Sequence, residues 1–359
     1  MIPLWLTNCL SRNVPVKPAL WLVIITSCFL VVSCDDNSAR TNAITLNGLT
    51  MGTTYTVKIN EPGSIHDATL IKKSIDNLLV DLNAKMSTYL PESELSRINQ
   101  TSTADWINIS ADLYEVIEEA IKINIQSDGA FDITVGSLVN LWGFGPVEKQ
   151  DLVPGNEKIQ TTLLDTGIDK IHLHSTNKAI KKDRPDIYLD LSGIAKGFAV
   201  DRISQLLREQ FSIHNYLVEV GGEIQAEGVN SDNQTWLVGV EKPVSSDRMV
   251  ERIISLENTS MATSGDYRNF FEKNGIHYSH IIDPRTGNPV THQLVSVTVL
   301  HAKAMVADAW ATALEVLGPE KGMELANQLE LPVLFIVRKN NLFSEIMSAR
   351  FEQYIRQTE

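Results

Sequence analysis

Short β-branched or apolar runs alternate with segments of helical periodicity from residue 44 onward, and this alternation limits the fold more than any other feature. The stretch 50–58 is rich in β-branched residues and predicts an early strand. Further strands are predicted at 216–220 (YLVEV) and 236–240 (WLVGV), and helices at 67–84, from Ser110 to Gly129, at 194–208 and at 305–317. Because strands and helices are mixed along the whole length, the pattern predicts an α+β or α/β protein rather than a pure class.

The N-terminus has the pattern of a secretory signal. Residues 1–18 are polar or mixed, and an apolar run over 19–32 ends just before Cys34. That run is too short for a permanent transmembrane helix and has the length of a signal core. Its end, 30–34 (LVVSC), resembles the lipobox of bacterial lipoproteins, in which the cysteine is acylated and becomes the first mature residue. A plain signal peptide and an uncleaved anchor are the alternatives.

The lipoprotein interpretation divides the chain into a signal peptide over 1–33, a lipid-anchored tether over 34–43 and a globular domain over 44–359. The two residues after the cysteine, Asp35 and Asp36, resemble the signal that retains some lipoproteins on the inner membrane. We therefore expect the protein to be anchored through Cys34 to the periplasmic side of the cell inner membrane.

Charge and cysteine usage narrow the chemistry. The formal net charge of −13 argues against nucleic acid as a partner, because phosphate binding needs a basic face. An acidic protein that handles a diphosphate needs a cation between itself and its ligand. Of the three cysteines, Cys9 and Cys28 would leave with the signal peptide and Cys34 would carry lipid. The mature protein would then have no thiol for a disulfide, a thiolate zinc site or a cysteine nucleophile.

The segment 129–136 (GAFDITVG) combines a small-residue turn, an aromatic residue and an acid directly after a predicted helix. Its glycines would let the backbone approach a ligand closely, and Asp132 could accept hydrogen bonds from ribose hydroxyls or ring nitrogens. A helix C-cap followed by a buried strand explains the same residues equally well. The sequence of this segment leaves both interpretations open.

The segment 189–201 (LDLSGIAKGFAVD) predicts a strand that ends in a Ser-Gly turn and opens a helix. The free amides and the macrodipole of a helix N-terminus favour phosphate, and Lys196 in the first turn adds a positive charge. The segment matches neither the Walker loop nor the GxGxxG fingerprint. A purely structural turn is the alternative.

The segment 279–289 (SHIIDPRTGNP) ends in a sequence typical of a tight turn, so a hairpin connection at 283–289 is its simplest interpretation. His280 stands just before that turn. Histidine titrates near neutral pH, which suits it to accepting a proton during a reaction. A structural histidine is the alternative.

The segment 307–313 (ADAWATA) places an acid and a hydroxyl at helical spacing. If it is helical, Asp308 and Thr312 lie four residues apart on one face. A carboxylate and a hydroxyl are hard ligands suited to magnesium, which would complete its octahedron with a backbone carbonyl, water or a ligand phosphate. Hydrogen bonding of the two side chains to each other or to a neighbouring turn is the alternative.

Taken together, these segments resemble the ApbE family of FAD:protein FMN transferases over about Leu46 to Gly318. The matching motifs are 51–53 (MGT), 86–89 (MSTY), 93–99 (SELSRIN), 129–132 (GAFD), 190–197 (DLSGIAKG), 220–223 (VGGE), 262–267 (ATSGDY), 280–284 (HIIDP) and 307–312 (ADAWAT). The family often has two glycines where this chain has Ser192-Gly193, but Gly193 is retained. So many motifs in one order make the resemblance specific.

The resemblance implies an α+β fold with a single large mixed-sheet domain, FAD as the substrate and Mg²⁺ as the cofactor. The implied flavin contacts are Met51, Tyr89, Ala130, Phe131, Asp132, Asp190, Lys196 and Ile282. The implied metal ligands are the side chains of Asp308 and Thr312 with backbone oxygens of Gly193 and Ala311. The metal would also let an acidic protein hold an anionic dinucleotide.

The resemblance further implies phosphoryl transfer. A serine or threonine hydroxyl of an acceptor protein would attack the FMN phosphorus, AMP would leave, and the implied catalytic residues are Asp308, through the metal, and His280 as the candidate base. Implied acceptors are periplasmic domains of membrane redox subunits, such as those of sodium-pumping NADH:quinone oxidoreductase or the related electron-transport complex. FAD hydrolysis to FMN and AMP would use the same residues. A flavin-binding lipoprotein without turnover is the third interpretation, although it would not need Asp308, Thr312 and His280.

Overall fold

The computed structural model describes residues 43–61, 67–146, 153–243, 250–265, 270–273, 275–339 and 342–355, which belong to one compact unit. The predicted signal peptide, the lipidation site Cys34 and nearly all of the tether lie outside the described residues. Among the helices that the structure describes, none is both long enough and apolar enough to cross a membrane.

The α-helices form where the sequence has apolar residues at helical spacing. The described α-helices are α1 (Ala68–Met86), α2 (Glu94–Gln100), α3 (Ala111–Gln126), α4 (Gly136–Leu141), α5 (Asn156–Leu163), α6 (Ala195–Phe211) and α7 (Ala304–Gln328), with short 3₁₀ turns at Ile168–Lys170 and Glu352–Tyr354. Asp67 begins α1 by accepting from the amides of Thr69 and Leu70, and Ser110 begins α3 in the same way. The helices predicted from periodicity are confirmed.

The strands build one large sheet and several small ones. They are β1 (Ile44–Thr50), β2 (Thr53–Ile59), β3 (Ile107–Asn108), β4 (Ile171–His174), β5 (Ala179–Lys182), β6 (Tyr216–Val220), β7 (Glu223–Glu227), β8 (Trp236–Glu241), β9 (Val250–Leu256), β10 (Thr259–Gly265), β11 (Phe270–Lys273), β12 (Ile276–Ser279), β13 (Ile282–Asp283), β14 (Asn288–Pro289), β15 (Leu294–His301), β16 (Val333–Lys339) and β17 (Leu342–Met347). The large sheet has the order β1-β2-β6-β7-β10-β15-β16-β17, and each neighbouring pair is antiparallel. The predicted α+β class is confirmed. We expected a mixed sheet; the large sheet is antiparallel throughout.

The stretch 50–58 is mostly strand, as its composition predicts, but it begins with a hairpin turn. Strand β1 ends at Thr50, Met51 and Gly52 form the turn, and β2 starts at Thr53. Both turn residues have positive φ, at 47° and 71°, as a type I′ turn requires. β-Branched residues on either side conceal the turn in the sequence, so the strand prediction was wrong at this point.

Alternate residues of the large sheet pack into two cores. Val218 and Ala262 face the main core, which the helices cover. Their neighbours Leu217 and Met261 face a second core, closed by the β8–β9 hairpin through Trp236 and other apolar residues. Because strand side chains alternate between faces, one apolar sheet serves both cores. The result is a three-layer arrangement with helices on one side and a small hairpin on the other.

Helices α6 and α7 meet at their N-terminal ends in the helical layer. A Cβ placed on Gly197 of α6 would lie 2.3 Å from the carbonyl oxygen of Ala304, so only glycine allows this approach. The carboxylate of Asp201 accepts from the amides of Ala304 and Met305 at 2.8 and 2.9 Å and thereby caps α7. The two helix starts are therefore fixed against each other.

Helix α7 is interrupted at Gly318, whose φ of 77° and ψ of −179° are not helical, and Pro319 follows. The ring of His292 packs against this break, since a Cβ on Gly318 would lie 2.8 Å from its Cδ2 atom. His292 Nε2 also hydrogen-bonds the carbonyl oxygen of Glu315 at 2.7 Å. The predicted helix at 305–317 corresponds to the half before the break.

Candidate active site

A cavity of about 390 Å³ opens at the start of α6 and collects most of the predicted site residues. Those that line it are Tyr89, Ala130, Phe131, Asp132, Asp190, Gly193, Lys196, His280, Ile282, Asp308 and Thr312. Met51 lines an adjoining cavity of about 710 Å³, which shares Tyr89, Asp190 and Lys196 with the first. Ala311 is buried in α7 and lines neither cavity, so only its main chain is a candidate ligand.

One face of α7 supplies the oxygen donors of the cavity. Asp308 is only 4% exposed, and its Oδ2 atom accepts from the amide of Gly197 at 3.0 Å. Thr312 lies one turn further, and a Cβ placed on Gly193 would lie 2.9 Å from its hydroxyl oxygen. The main chain of Gly193 is therefore pressed against Thr312. Asp308 therefore hydrogen-bonds a neighbouring turn, as the structural alternative predicted. This bond uses only its Oδ2 atom and does not involve Oδ1.

The described residues contain no cluster of three or more His, Cys, Asp or Glu side chains that could hold a metal. The predicted metal position has a single carboxylate, that of Asp308, and its other donors are a hydroxyl and main-chain oxygens. Such donors are hard and suit Mg²⁺, which binds through one or two carboxylates and completes its shell with water and substrate phosphate. The donor set therefore fits this metal.

Lys196 places a half-buried ammonium beside that position. Its Nζ atom lies 2.8 Å from Glu223 Oε1 and 3.6 Å from Asp308 Oδ1. Burial opposes the charged form of Lys196, but the carboxylates of Asp308 and Glu223 outweigh it and raise the pKa of the ammonium. Burial also raises the pKa of Glu223, although the Lys196 ammonium opposes that change. The cavity floor thus holds a permanent positive charge between two carboxyl groups.

The start of α6 offers fewer free amides for phosphate than its sequence predicts. The amide of Ala195 donates to the carbonyl of Leu191 at 2.9 Å, and that of Gly197 donates to Asp308. The expected strand before the helix is also wrong: residues 189–190 belong to no strand, and the only ladder contact of this segment among the described residues is a parallel bridge between Tyr188 and Val135. Lys196 lines the cavity and brings a positive charge to it.

The segment 129–136 forms a tight loop against α3. Gly129 has a φ of 72° and its amide bonds the carbonyl of Asn124, so the C-cap interpretation is correct, but no strand follows it. Asp132 accepts from the amide and hydroxyl of Thr134 at 2.8 and 2.6 Å and from the amide of Ile168 at 3.0 Å. Burial raises the pKa of Asp132, while the bonds from Thr134 lower it. A carboxylate has about four acceptor positions, so about one is left for a ligand.

Asp190 and Tyr89 form the rim between the two cavities. The amide of Asp190 donates to the carbonyl of Ile133 at 2.7 Å, which ties two predicted site segments together. The ring of Tyr89 is 68% exposed at this boundary. Burial of its hydroxyl and the nearby charge of Asp190 raise the pKa of Tyr89. An exposed aromatic ring at a cavity mouth is suited to stacking on a planar ligand.

His280 stands between β12 and β13 on the opposite wall. Its ring lies edge-on to Phe144, with centroids 6.2 Å apart.

Ile282 is 5% exposed and packs in a small core with Trp142, whose indole nitrogen donates to the carbonyl of Gly287 at 2.8 Å. The hairpin predicted at 283–289 is confirmed as β13–β14, and this contact fixes it against α4.

Glu223, Thr263 and Ser264 are among the polar lining residues of the cavity to which sequence reasoning gave no role. All three fall within motifs that carry the family resemblance, at 220–223 and 262–267. The motif positions were therefore a usable signal. The last two residues of the second motif, Asp266 and Tyr267, lie outside the described residues.

Fold and cavity together define an α+β protein with a deep, oxygen-lined ligand site. The model of the ApbE family matches residues 51–335. FAD:protein FMN transferases from Haemophilus influenzae and Vibrio cholerae serotype O1 are 47% and 44% identical to the chain, over 88% and 93% of it and 92% and 98% of their own length. A solved structure of flavin transferase ApbE from Vibrio cholerae superposes with a TM-score of 0.81 at 43% identity, covering 88% of this chain and all of that one. The chain belongs to the ApbE family, which confirms the resemblance seen in the sequence.

Proposed function

We propose that the protein is an FAD:protein FMN transferase, which cleaves FAD and attaches FMN through its phosphate to a hydroxyl of an acceptor protein. The observation that carries this proposal is that one cavity brings together hard oxygen donors, the ammonium of Lys196 and a histidine. The names of the curated relatives, which match over nearly their whole length, support the same reaction.

Mg²⁺ is assigned to Asp308, Thr312 and main-chain oxygens of Gly193 and Ala311. The close approach of Gly193 to Thr312 supports this position, because a side chain on Gly193 would fill it. When bound there, Mg²⁺ offsets the negative charge that develops on the phosphate groups as AMP leaves.

The remaining residues bind and orient the substrates. The Lys196 ammonium neutralises part of the diphosphate charge, and the exposed ring of Tyr89 stacks on a planar ring of FAD. In the transfer step, the acceptor hydroxyl oxygen bonds to the FMN phosphorus while the bond from that phosphorus to the AMP oxygen breaks. The hydroxyl proton passes to a ring nitrogen of His280.

The acceptors in this proposal are periplasmic domains of membrane redox subunits, of the sodium-pumping NADH:quinone oxidoreductase or the related electron-transport complex. The enzyme itself is anchored by lipid on Cys34 to the periplasmic side of the inner membrane, beside those subunits. The lipobox-like end of the N-terminal apolar run and the two following aspartates support this location.

The experiment that tests the function incubates the purified protein with FAD, Mg²⁺ and a candidate periplasmic redox domain, and weighs the acceptor by mass spectrometry. An acceptor heavier by one FMN, with the gain lost on chelation or with Asp308→Ala, is the expected result. As a matched control, Glu320→Ala removes an exposed acid of the same helix beyond its break and should leave transfer intact. Release of FMN and AMP with an unmodified acceptor would favour hydrolysis instead, and recovery of intact FAD would contradict both activities.

A further inference from the structure

Glu223, the first residue of β7, is a third buried carboxylate in the cavity, besides Asp132 and Asp308, and has no role in the proposed reaction. It is only 2% exposed. Its Oε1 atom accepts from Lys196, while Oε2 is buried and has no hydrogen-bond partner among the described residues. A buried carboxylate is costly unless its charge is compensated, and here the Lys196 ammonium supplies that compensation.

The turn that precedes Glu223 packs against the same lysine, Lys196. Gly221 and Gly222 join β6 to β7 with φ values of 61° and 107°. A Cβ placed on Gly221 would lie 3.2 Å from Lys196 Cδ and 2.8 Å from Thr53 Cγ2. The glycine turn therefore packs on the aliphatic stem of Lys196, while Glu223 holds its ammonium. Two contacts from one hairpin restrict a side chain that is otherwise long and flexible.

The direction of this restraint matters because Asp308 competes for the same ammonium. Lys196 Nζ lies 2.8 Å from Glu223 Oε1 but 3.6 Å from Asp308 Oδ1, and Asp308 Oδ2 is already engaged by the Gly197 amide. Without Glu223, the Lys196 ammonium would move toward Asp308 Oδ1. Among the described residues, that atom is the only other carboxylate oxygen paired with it. That oxygen is the one left for a metal.

We propose that Glu223 is a positioning residue that draws Lys196 away from Asp308, which leaves Asp308 free for a divalent cation and presents the ammonium to the FAD diphosphate. This inference rests on the proposed function for its substrate. Glu223 itself need not touch FAD or the metal; it acts through Lys196. An ammonium has three donors, so one bonded to Glu223 leaves others for phosphate oxygens.

The test measures FAD binding by flavin fluorescence at increasing Mg²⁺ concentration, on the purified protein without acceptor. Glu223→Gln should weaken FAD binding about tenfold and raise the Mg²⁺ concentration for half-maximal binding by a similar factor. The same substitution in a Lys196→Met background should have no further effect, since the residue through which Glu223 acts is gone. Equal effects in both backgrounds, or no effect in either, would overturn the proposal.

The matched control is Glu227→Gln, at the far end of the same strand. Glu227 pairs with Arg208 at 3.0 Å and lines neither cavity, so its loss should leave both binding constants unchanged. Melting temperatures of the ligand-free variants report folding. If Glu223→Gln does not fold, Glu223→Asp keeps the charge but shortens its reach, and it should shift the Mg²⁺ dependence in the same direction. Normal FAD binding by the wild type without any transfer would contradict the proposed function alone.

Discussion

His280 and Asp308 line the same cavity but have different proposed roles, so their loss should differ in kind. His280→Ala removes the proposed base but leaves the proposed diphosphate site on α6 and α7 intact. We expect FMN transfer to fall by about a hundredfold or more with FAD affinity unchanged. Stopped assays of acceptor labelling and flavin fluorescence measure the two quantities. His277→Ala, at an exposed position three residues earlier, is the control, and undiminished transfer by His280→Ala would refute the assignment.

Gly193 is a residue for which one added methyl group should matter. In Gly193→Ala, the new Cβ would meet Thr312 Oγ1 at 2.9 Å and Phe131 Cε2 at 3.3 Å, which displaces the hydroxyl from the proposed metal position. We expect transfer to fall at least about tenfold, because a misplaced ligand is costly to a preorganised site. The control is Gly155→Ala, where nothing lies within 4 Å of the new atom. Activity equal to wild type in Gly193→Ala would show that the Thr312 hydroxyl can be displaced without loss of transfer, which would contradict this prediction.

At the residue scale the sequence predicts types of chemistry better than hydrogen-bond partners. The helical spacing of Asp308 and Thr312 predicts their shared face correctly. The spacing does not reveal that the Asp308 carboxylate accepts a hydrogen bond from the Gly197 amide, because that bond joins residues 111 positions apart. Glu223 was missed for the same reason, since its pairing with Lys196 depends on how β7 lies against α6.

Among the elements, the contact between α6 and α7 has a predictable dependence on pH. Asp201 of α6 caps α7, and burial raises its pKa to about 6 from the model-peptide value of 3.8, although the two amide bonds oppose the change. The folded protein therefore holds this proton at pH values where the unfolded chain has lost it. The contribution of Asp201 to stability falls as pH rises from about 4 to about 6 and is then constant, with a total change of about 3 kcal/mol.

Urea unfolding of the wild type and of Asp201→Asn at several pH values tests this dependence. The variant cannot ionise, so the free energy of unfolding of the wild type relative to the variant should drop by about 3 kcal/mol between about pH 4 and pH 7. Asp67→Asn, which alters the exposed cap of α1, is the control for the loss of a capping carboxylate as such. A difference between wild type and Asp201→Asn that does not vary with pH would contradict the prediction.

Element types are predictable here where one physical signal dominates. α1 and α3 combine a capping side chain with a regular apolar face, and both appear within two or three residues of their expected ends. The turn at Met51 and Gly52 is hidden because it depends on positive φ at a methionine, which local composition does not encode. Met51 lines the larger cavity, and such backbone strain is often associated with a functional position.

For the molecule as a whole, the proposed lipid anchor would decide where the enzyme works. Cys34→Ser should move the protein from the membrane fraction to the soluble periplasmic fraction, because buried acyl chains supply the membrane affinity. Cell fractionation with mass spectrometry of the mature N-terminus measures this. Cys28→Ser, within the predicted signal peptide, is the control and should leave anchoring intact. Membrane retention of Cys34→Ser would contradict lipidation at this residue.

The overall architecture is only partly readable from the chain. The mixture of strands and helices predicts the α+β class, and the motif order predicts the family. The order of the large sheet is not predictable from local pattern, because β2 pairs with β6 and β7 with β10 across long intervening segments. Those pairings are decided by which apolar faces fit together, and they bring residues from 89 to 312 around one cavity.

The break in α7 also affects how the protein can tolerate changes in length. The half before Gly318 is held at its start by Asp201 and near its end by His292. A residue inserted after Pro319 would rotate the following half by about 100° without turning Asp308 or Thr312. An insertion or deletion there should therefore preserve the angular setting of the proposed metal ligands, and its cost falls on the half after the break, where Gly322 and Ala326 are buried.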